Sequence, residues 1–272
     1  MAVASKKRKI FDGRYEVLSI VGRGACSVVY HARHASNPAS EVALKVLINK
    51  KGGSSSTDRL RKEALAMVSS RHKYVIRLDD FHSVQDLCYL SMEYAKEGDL
   101  RKYSAKLGGK LPAEQAVTFF KQVAEALNFV HRVGITHRDI KPDNILVLND
   151  HETRLTDFGV AVLPGEIASL DDLQQGVGTM NYMAPEVLQG IACDKLSDIY
   201  ALGVSFYEIL SGKHPFDDIP LVKQLDVRKN ENLVHICKVA PDTPAFFGDI
   251  IMRCIDYPPD RRFSSMNELV KE

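Results

Sequence analysis

Long apolar runs are missing from this 272-residue chain. None approaches the roughly 18 residues that a bilayer-crossing helix needs, so no membrane span is expected. The first residues lack the apolar stretch of a secretory signal, and none is expected there. Cysteine is sparse: Cys26, Cys88, Cys193, Cys237 and Cys254 are scattered, odd in number and never in C-x-x-C spacing. That argues against a disulfide framework and a zinc site, and for free thiols in a reducing compartment. Excess charge is absent as well. The 36 basic and 35 acidic residues leave a net charge of +1, so no global field draws in nucleic acid and no specific nucleic-acid partner is expected. A cytoplasmic placement is expected, with nuclear import as the alternative if Lys6, Lys7, Arg8 and Lys9 act as a signal. Tryptophan does not occur at all.

What is present is ordinary in bulk. A hydrophobic fraction of 45% and a charged fraction of 26% fit a globular protein of one large domain or two modest ones. Residues 1–14 read as a disordered basic leader. Residues 15–33 read as two strands, Y-E-V-L-S-I-V and V-V-Y-H-A-R, around the glycine loop G-R-G-A-C-S. Gly22 and Gly24 let a backbone approach a phosphate closely, although a plain hairpin turn explains a lone G-x-G as well. A dinucleotide-binding fold needs a helix after such glycines, and a strand-like run follows instead. Residues 41–48 form a strong strand with one charge, Lys45, in its middle.

Residues 49–58 read as a flexible linker. Thr57 or Asp58 is expected to cap the next helix, which carries Leu60, Ala64, Met67 and Val68 on one face and Glu63 close to it. Residues 75–94 read as two more strands. From Leu100 onward the pattern is mostly helical. Pro112 opens a run with Ala116, Phe119, Phe120, Val123, Leu127 and Val130 as core positions. Residues 194–215 are apolar on nearly every face and should be buried, and residues 246–255 form a further helix. A helical run reaches Glu272, so a longer parent chain is expected.

The chemistry concentrates in residues 136–144, T-H-R-D-I-K-P-D-N, with Asp157-Phe158-Gly159 after them. Asp139 can accept a proton from an attacking hydroxyl. Asn144 and Asp157 offer hard oxygen ligands of the kind Mg²⁺ prefers. Lys141 adds a positive charge where a transferring phosphoryl group needs one.

His137-Arg138-Asp139 with Asn144 five residues on resembles the catalytic loop of the protein kinases, and Asp157-Phe158-Gly159 resembles their metal-binding turn. The resemblance runs from about residue 15 to the C-terminus. It implies an α+β, bilobal fold: an N-terminal lobe over 15–92 with a small antiparallel β-sheet and one helix, a hinge at 93–98, and a larger, mainly helical C-terminal lobe over 99–272. It implies transfer of the γ-phosphoryl group of ATP, with Mg²⁺ or Mn²⁺, to serine or threonine of a protein substrate. Lys141 and the pair Gly178-Thr179 carry the serine/threonine reading.

In the implied site Asp139 is the base, flanked by Lys141 and Thr179, while Asn144 and Asp157 hold the metal. Lys45, paired with Glu63, holds the α- and β-phosphates. Gly22 and Gly24 roof the nucleotide, and Ser27 stands at the third glycine of the G-x-G-x-x-G-x-V pattern, with Val29 at its end. Met92 guards the pocket behind the adenine, Glu93 and Ala95 belong to the hinge, and Asp99 lies near the ribose. Val21, Ala43 and Leu146 complete the nucleotide-binding set. Asp198 is implied to bond the catalytic-loop backbone, and Arg262 to pair with Glu186 of Ala184-Pro185-Glu186. Tyr200 stands where many relatives carry tryptophan.

Two rival readings are a pseudokinase-type interaction module and a small-molecule phosphotransferase of related fold. The first would lack an equivalent of Lys45, Asp139, Asn144 or Asp157, and none is lost here. The second would lack the Ala184-Pro185-Glu186 and Gly178-Thr179 peptide platform. For regulation, one expectation is that phosphorylated Ser169 pairs with Arg138, and the other that Glu166, Asp171 or Asp172 supplies that charge. Cys26 reads either as a thiol near the nucleotide or as an unreactive one. Asp99 and Asp143 read either as selectors of basic residues before the acceptor or as solvated carboxylates.

Overall fold

The computed structural model describes residues 9–24, 26–48, 53–84, 87–166, 179–191, 194–230 and 233–272, and of residues 53–56, 179, 221 and 222 the backbone only. Two compact units divide it: Met1–Val68 with Ile76–Ala95, and Ser69–Val75 with Lys96–Glu272.

The first unit is one antiparallel sheet with one helix. Its strands are β1 (Lys9–Phe11), β2 (Tyr15–Arg23), β3 (Ser27–His34) and β4 (Glu41–Leu47), then α1 (Gly53–Ser69), β5 (Leu78–Val84) and β6 (Leu87–Glu93), in sheet order β1-β2-β3-β4-β6-β5. Period-two alternation sorts the faces. Tyr15, Ala32, Val42, Leu44, Val46 and Tyr89 form a buried cluster on one of them, with Phe11, Tyr30 and Leu87 against it.

Three expectations change here. Residues 1–8 of the expected leader lie outside the described residues, but from Lys9 onward the chain is strand and turn. Asp12 (φ 50°) and Gly13 (φ 65°) turn the three-residue hairpin loop that Arg14 completes, Arg14 N–H donates to Phe11 C=O at 3.1 Å, and Phe11 meets the Tyr89 ring edge-on at 5.2 Å. The helix begins at Gly53, inside the expected linker, so Thr57 and Asp58 are interior rather than caps; the serine run there tolerates helical dihedrals. Val68 is 64% exposed, whereas Leu60, Ala64 and Met67 are buried together with Glu63 and Ala66. The buried stripe is therefore rotated away from Val68.

The second unit carries β7 (Gly98–Asp99), α2 (Leu100–Lys106), α3 (Ala113–Arg132), β8 (Ile145–Asn149) and β9 (Glu152–Leu155). It continues with α4 (Pro185–Leu188), α5 (Lys195–Ser211), α6 (Leu221–Asn230), α7 (Ile236–Val239), α8 (Ala245–Ile255) and α9 (Met266–Leu269). Strands β7, β8 and β9 form a small antiparallel sheet. In α3 all six expected core positions are buried. Helix α5 is the hub. Asp194 caps it by accepting from Leu196 N–H at 2.8 Å, Gly212 ends it in the left-handed region at φ 76°, and every residue from Ser197 to Leu210 is buried. Gly203 is where α8 crosses it: a Cβ there would lie 2.6 Å from Cys254 Cβ. The stretch between α5 and α8, polar in sequence, holds α6 and α7. Among the described residues no helix is long and apolar enough to cross a membrane.

Candidate active site

In the first unit the strand ladder does the positioning. Val29 sits opposite Lys45 and Ala43 opposite Met92. Residues opposite one another share a face, as do residues two apart, so Val29, Ala43, Lys45 and Met92 form one patch on the face opposite the aromatic cluster. Lys45 Nζ donates to both Glu63 carboxylate oxygens at 2.8 Å, joining β4 to α1. The lysine side chain is 17% exposed and the glutamate 4%. Gly22 pairs with Val29 within the ladder, and Gly24 N–H donates to Ser27 C=O at 2.8 Å. The Gly24 amide therefore closes the hairpin. Ala25 lies outside the described residues. Val21 is an exposed residue of β2, Glu93 ends β6, Ala95 is buried, and Cys26 is half-buried.

In the second unit the loop between α3 and β8 gathers the charged groups. Lys141 Nζ donates to Asp139 Oδ1 at 2.9 Å and Oδ2 at 2.8 Å. Asn144 Nδ2 donates to the Asp139 carbonyl and to Oδ2, each at 2.8 Å. With its nitrogen directed at Asp139, the amide presents its oxygen to the other side. Thr156 N–H donates to the Asn144 carbonyl at 3.0 Å, which brings Asp157 alongside. Asp157 has φ 65°, a conformation that costs a non-glycine residue about 1–2 kcal/mol, while Phe158 after it is fully buried. An amide oxygen and a carboxylate are hard ligands that fit Mg²⁺ or Mn²⁺, ions that take one or two protein oxygens and complete their shell from phosphate and water. Among the described residues no cluster of three or more His, Cys, Asp or Glu side chains is arranged for a metal.

Behind the loop stands Asp198 on α5. Its Oδ2 accepts from His137 N–H at 2.9 Å and its Oδ1 from Arg138 N–H at 2.8 Å, and His131 Nε2 lies 2.8 Å from Oδ2. Arg138 itself has φ 71°, so these bonds hold a strained backbone in place. Burial would raise the Asp198 pKa, but the bonds from His131 and His137 outweigh it and hold the carboxylate below its ordinary range. His137 is fully buried against Phe158, with ring centroids 4.7 Å apart. Its Nδ1 accepts from Asp139 N–H at 3.3 Å, so Nε2 carries the proton and donates to Thr156 C=O at 3.0 Å. Burial pushes this imidazole pKa down, in keeping with the neutral ring.

Asp99 caps α2, accepting from Lys102 N–H at 2.8 Å and pairing with Lys102 Nζ at 2.7 Å, and Leu146 lies beside it on β8. Asp143 accepts from Arg101 at 3.0 to 3.1 Å, so both carboxylates have cationic partners within the chain. Arg101 also donates to Glu208 and to the Tyr182 hydroxyl at 2.5 Å each, and these groups line a cavity of about 410 Å³ with Lys141 and His214. Arg262 donates to Glu186 at 2.6 and 2.9 Å, a buried two-pronged pair. Gly178, Ser169, Asp171 and Asp172 lie outside the described residues, as does the Thr179 side chain. Arg138 is buried and Glu166 accepts from Leu163 N–H at 3.0 Å. Sequence reading does not find His131, Arg101, Tyr182 or Glu208: nothing in their spacing marks them, and their partners lie 26 to 107 residues away.

The family model described as the protein kinase domain matches residues 15–272. The chain belongs to the protein kinase family. A probable serine/threonine-protein kinase of Clostridium acetobutylicum is 32% identical over 97% of this chain and 40% of its own length. One of Clostridium perfringens, similarly named, is 32% identical over 96% of this chain and 38% of its own, and a serine/threonine-protein kinase of Myxococcus xanthus is 32% identical over 96% and 32%. The chain thus spans well under half the length of these relatives. Its α+β architecture, an antiparallel-sheet unit with one helix and a mainly helical unit, is the kinase fold expected from the sequence.

Proposed function

We propose that this kinase-family chain transfers the γ-phosphoryl group of ATP to serine or threonine hydroxyls of a protein substrate. The observation that carries the reading is Asp139, whose carboxylate is fixed by Lys141 and Asn144 at 2.8 to 2.9 Å on a loop bonded to Asp198. Phosphoryl transfer needs positioning and charge neutralisation more than covalent help, and a fixed carboxylate beside a lysine suits it. Asp139 orients the acceptor hydroxyl and takes its proton. Lys141 balances negative charge at the phosphoryl group. Lys45, oriented by Glu63, binds the α- and β-phosphates, with Val29, Ala43 and Met92 beside it for the adenine and backbone groups of Glu93 and Ala95 for its polar edge. Asn144 and Asp157 would hold the metal, which when bound would neutralise phosphate charge. Thr179 would help select the acceptor. Residues 15–92 and 99–272 act as nucleotide and peptide lobes about a hinge at 93–98, and a cytoplasmic signalling role fits this chemistry.

The test is Mg²⁺-dependent transfer to a degenerate Ser/Thr/Tyr peptide library, with Asp139→Asn as control. The expected result is Ser/Thr labelling that falls by about 10³-fold in the control, within the range for losing a positioned base. Equal labelling by both proteins would refute the role of Asp139. No labelling by folded, nucleotide-binding wild type would favour an interaction module instead.

A further inference from the structure

A second concave site lies in the helical unit, away from the catalytic loop in sequence. A cavity of about 460 Å³ is lined by Arg228 and Lys229 of α6, Arg253 of α8, Asp256, Tyr257, and Arg261 of a 3₁₀ turn, Pro259–Arg261. That size suits a small ligand or one side chain of a partner. Its lining is cationic, in a chain whose net charge is only +1.

The partners of these cations show how much charge remains uncompensated. Arg253 is paired with Glu268 at 2.6 Å. Arg228 is buried, 5% exposed, yet donates to the carbonyls of Met180, Asn181 and Met183 and to Gln224 Oε1. It lies over the Phe216 ring at 4.3 Å, and its Nε, also buried, has no hydrogen-bond partner among the described residues. Lys229 faces the Tyr257 ring at 5.7 Å, and Arg261 reaches the Tyr257 carbonyl at 3.4 Å. Among the described residues no carboxylate forms an ion pair with Arg228, Lys229 or Arg261. Carbonyl oxygens and ring faces orient a guanidinium without cancelling its charge, and burial pushes the Arg228 pKa down. Asp256 is the one acidic residue of the lining. A concave surface with several cations and one carboxylate attracts anions, and forked guanidinium donors match the oxygens of a phosphate.

We propose that this cavity binds a phosphomonoester dianion, with Lys229 and Arg261 as its contacting cations and Arg228 as the fixed charge behind them. The dianion arrives either on a phosphorylated protein side chain or as a small phosphate ester. Arg228 also holds the carbonyls of Met180, Asn181 and Met183, so the occupied site is tied to the backbone that follows Thr179.

Calorimetric titration of the whole chain tests this without any catalytic readout, so it stands or falls apart from the phosphotransferase reading. The probes are inorganic phosphate, O-phosphoserine and a phosphoserine peptide, and the variant is Lys229→Ala/Arg261→Ala, which leaves Arg228 in place. Binding that weakens at least about tenfold in the double variant, a loss of about 1.4 kcal/mol, supports the site. A peptide that binds more tightly than O-phosphoserine assigns the ligand to a protein, and equal affinities assign it to small esters. Binding equally strong in both proteins, which would reflect sites elsewhere, overturns the proposal. So does the absence of saturable binding at about 10 mM of every probe, a ceiling close to the weakest specific affinities.

Discussion

Lys45–Glu63 and Lys141–Asp139 are both lysine–carboxylate pairs closed at 2.8 to 2.9 Å, yet the two units build them in opposite ways. The first spans two elements, a strand and a helix 18 residues on, so it exists only while α1 keeps its place against β4. The second is local, two residues apart, and the loop that carries it is held from behind by Asp198 in the buried stretch Ser197–Leu210 of α5. The sheet unit therefore holds its charge through the position of one helix, and the helical unit through its core. Movement of α1 could switch the first pair without unfolding anything, whereas disturbing the second means disturbing the fold.

The strongest way to break this contrast is Asp198→Asn. One carboxylate oxygen becomes an N–H₂ facing donors on His137, Arg138 or His131, and the charge is lost. The expected cost is about 3–5 kcal/mol in urea unfolding, as for a buried charged network that loses one member. A loss below about 1 kcal/mol would mean that the loop is held by something else. Glu63→Gln should behave differently. Lys45 is 17% exposed and can be hydrated, so stability should change by less than about 1 kcal/mol. Phosphoryl transfer should fall by about 30-fold, near 2 kcal/mol of barrier. Steady-state kinetics beside melting curves decide it: unchanged transfer in a stable protein would remove the pair from the mechanism. Gly203→Ala comes next, because it strikes the support of Asp198 and not Asp198 itself. The new Cβ would meet Cys254 Cβ at 2.6 Å and Ile255 Cγ1 at 2.8 Å. Overpacking costs about 1–3 kcal/mol, and alanine regains up to about 1 kcal/mol of helix propensity. A net loss of about 1–2 kcal/mol in urea unfolding is expected. A neutral result would show that α8 yields easily.

The same contrast explains what is legible in the sequence. Alternation exposes β2 to β4, and the helical period of α3 marks its six core positions, because each depends on near neighbours in the chain. The catalytic loop is legible from residue order alone, and Asp198 stands out as a charge within an apolar helix. Its partner His131 does not stand out, since it is 67 residues away on another helix. The Asp12-Gly13 hairpin carries a visible signal, aspartate–glycine between apolar runs, that the basic residues before it obscure. Val68 shows the limit of a helical wheel: the wheel gives the stripe, but the neighbours decide how far it is rotated. Helix α6 is hidden because too few of its residues are apolar to reveal a period, and α7 because its four residues are too few to show one. Arg228, inside α6, is missed for the same reason.

Acid gives the smallest expected effect and the last way to separate the units. His137 and His214 belong to the helical unit, and burial pushes both imidazole pKa values down. At His214, Glu208 and Asp217 pull upward, but burial prevails. Well above about pH 6.5 both rings are neutral whether the chain is folded or not, so they add no pH dependence there. Below it the unfolded chain takes up protons that the native rings refuse, and stability falls as pH falls, by at most about 1.4 kcal/mol per pH unit for each ring. Asp198 acts with the same sign but only in stronger acid. Its stabilisation is present above the ordinary carboxylate range and is lost as pH drops through its lowered native pKa. Urea unfolding at pH 7.5, 6.5 and 5.5 should show a decline that is steeper over the lower step, and His214→Gln should flatten it by up to one proton. The glutamine could still accept the Phe216 N–H, which His214 Nδ1 takes at 3.2 Å. A profile flat to pH 5.5 would mean that the native rings take up protons as readily as the unfolded chain, and the helical unit would then be less rigid around its histidines than its hydrogen bonds imply.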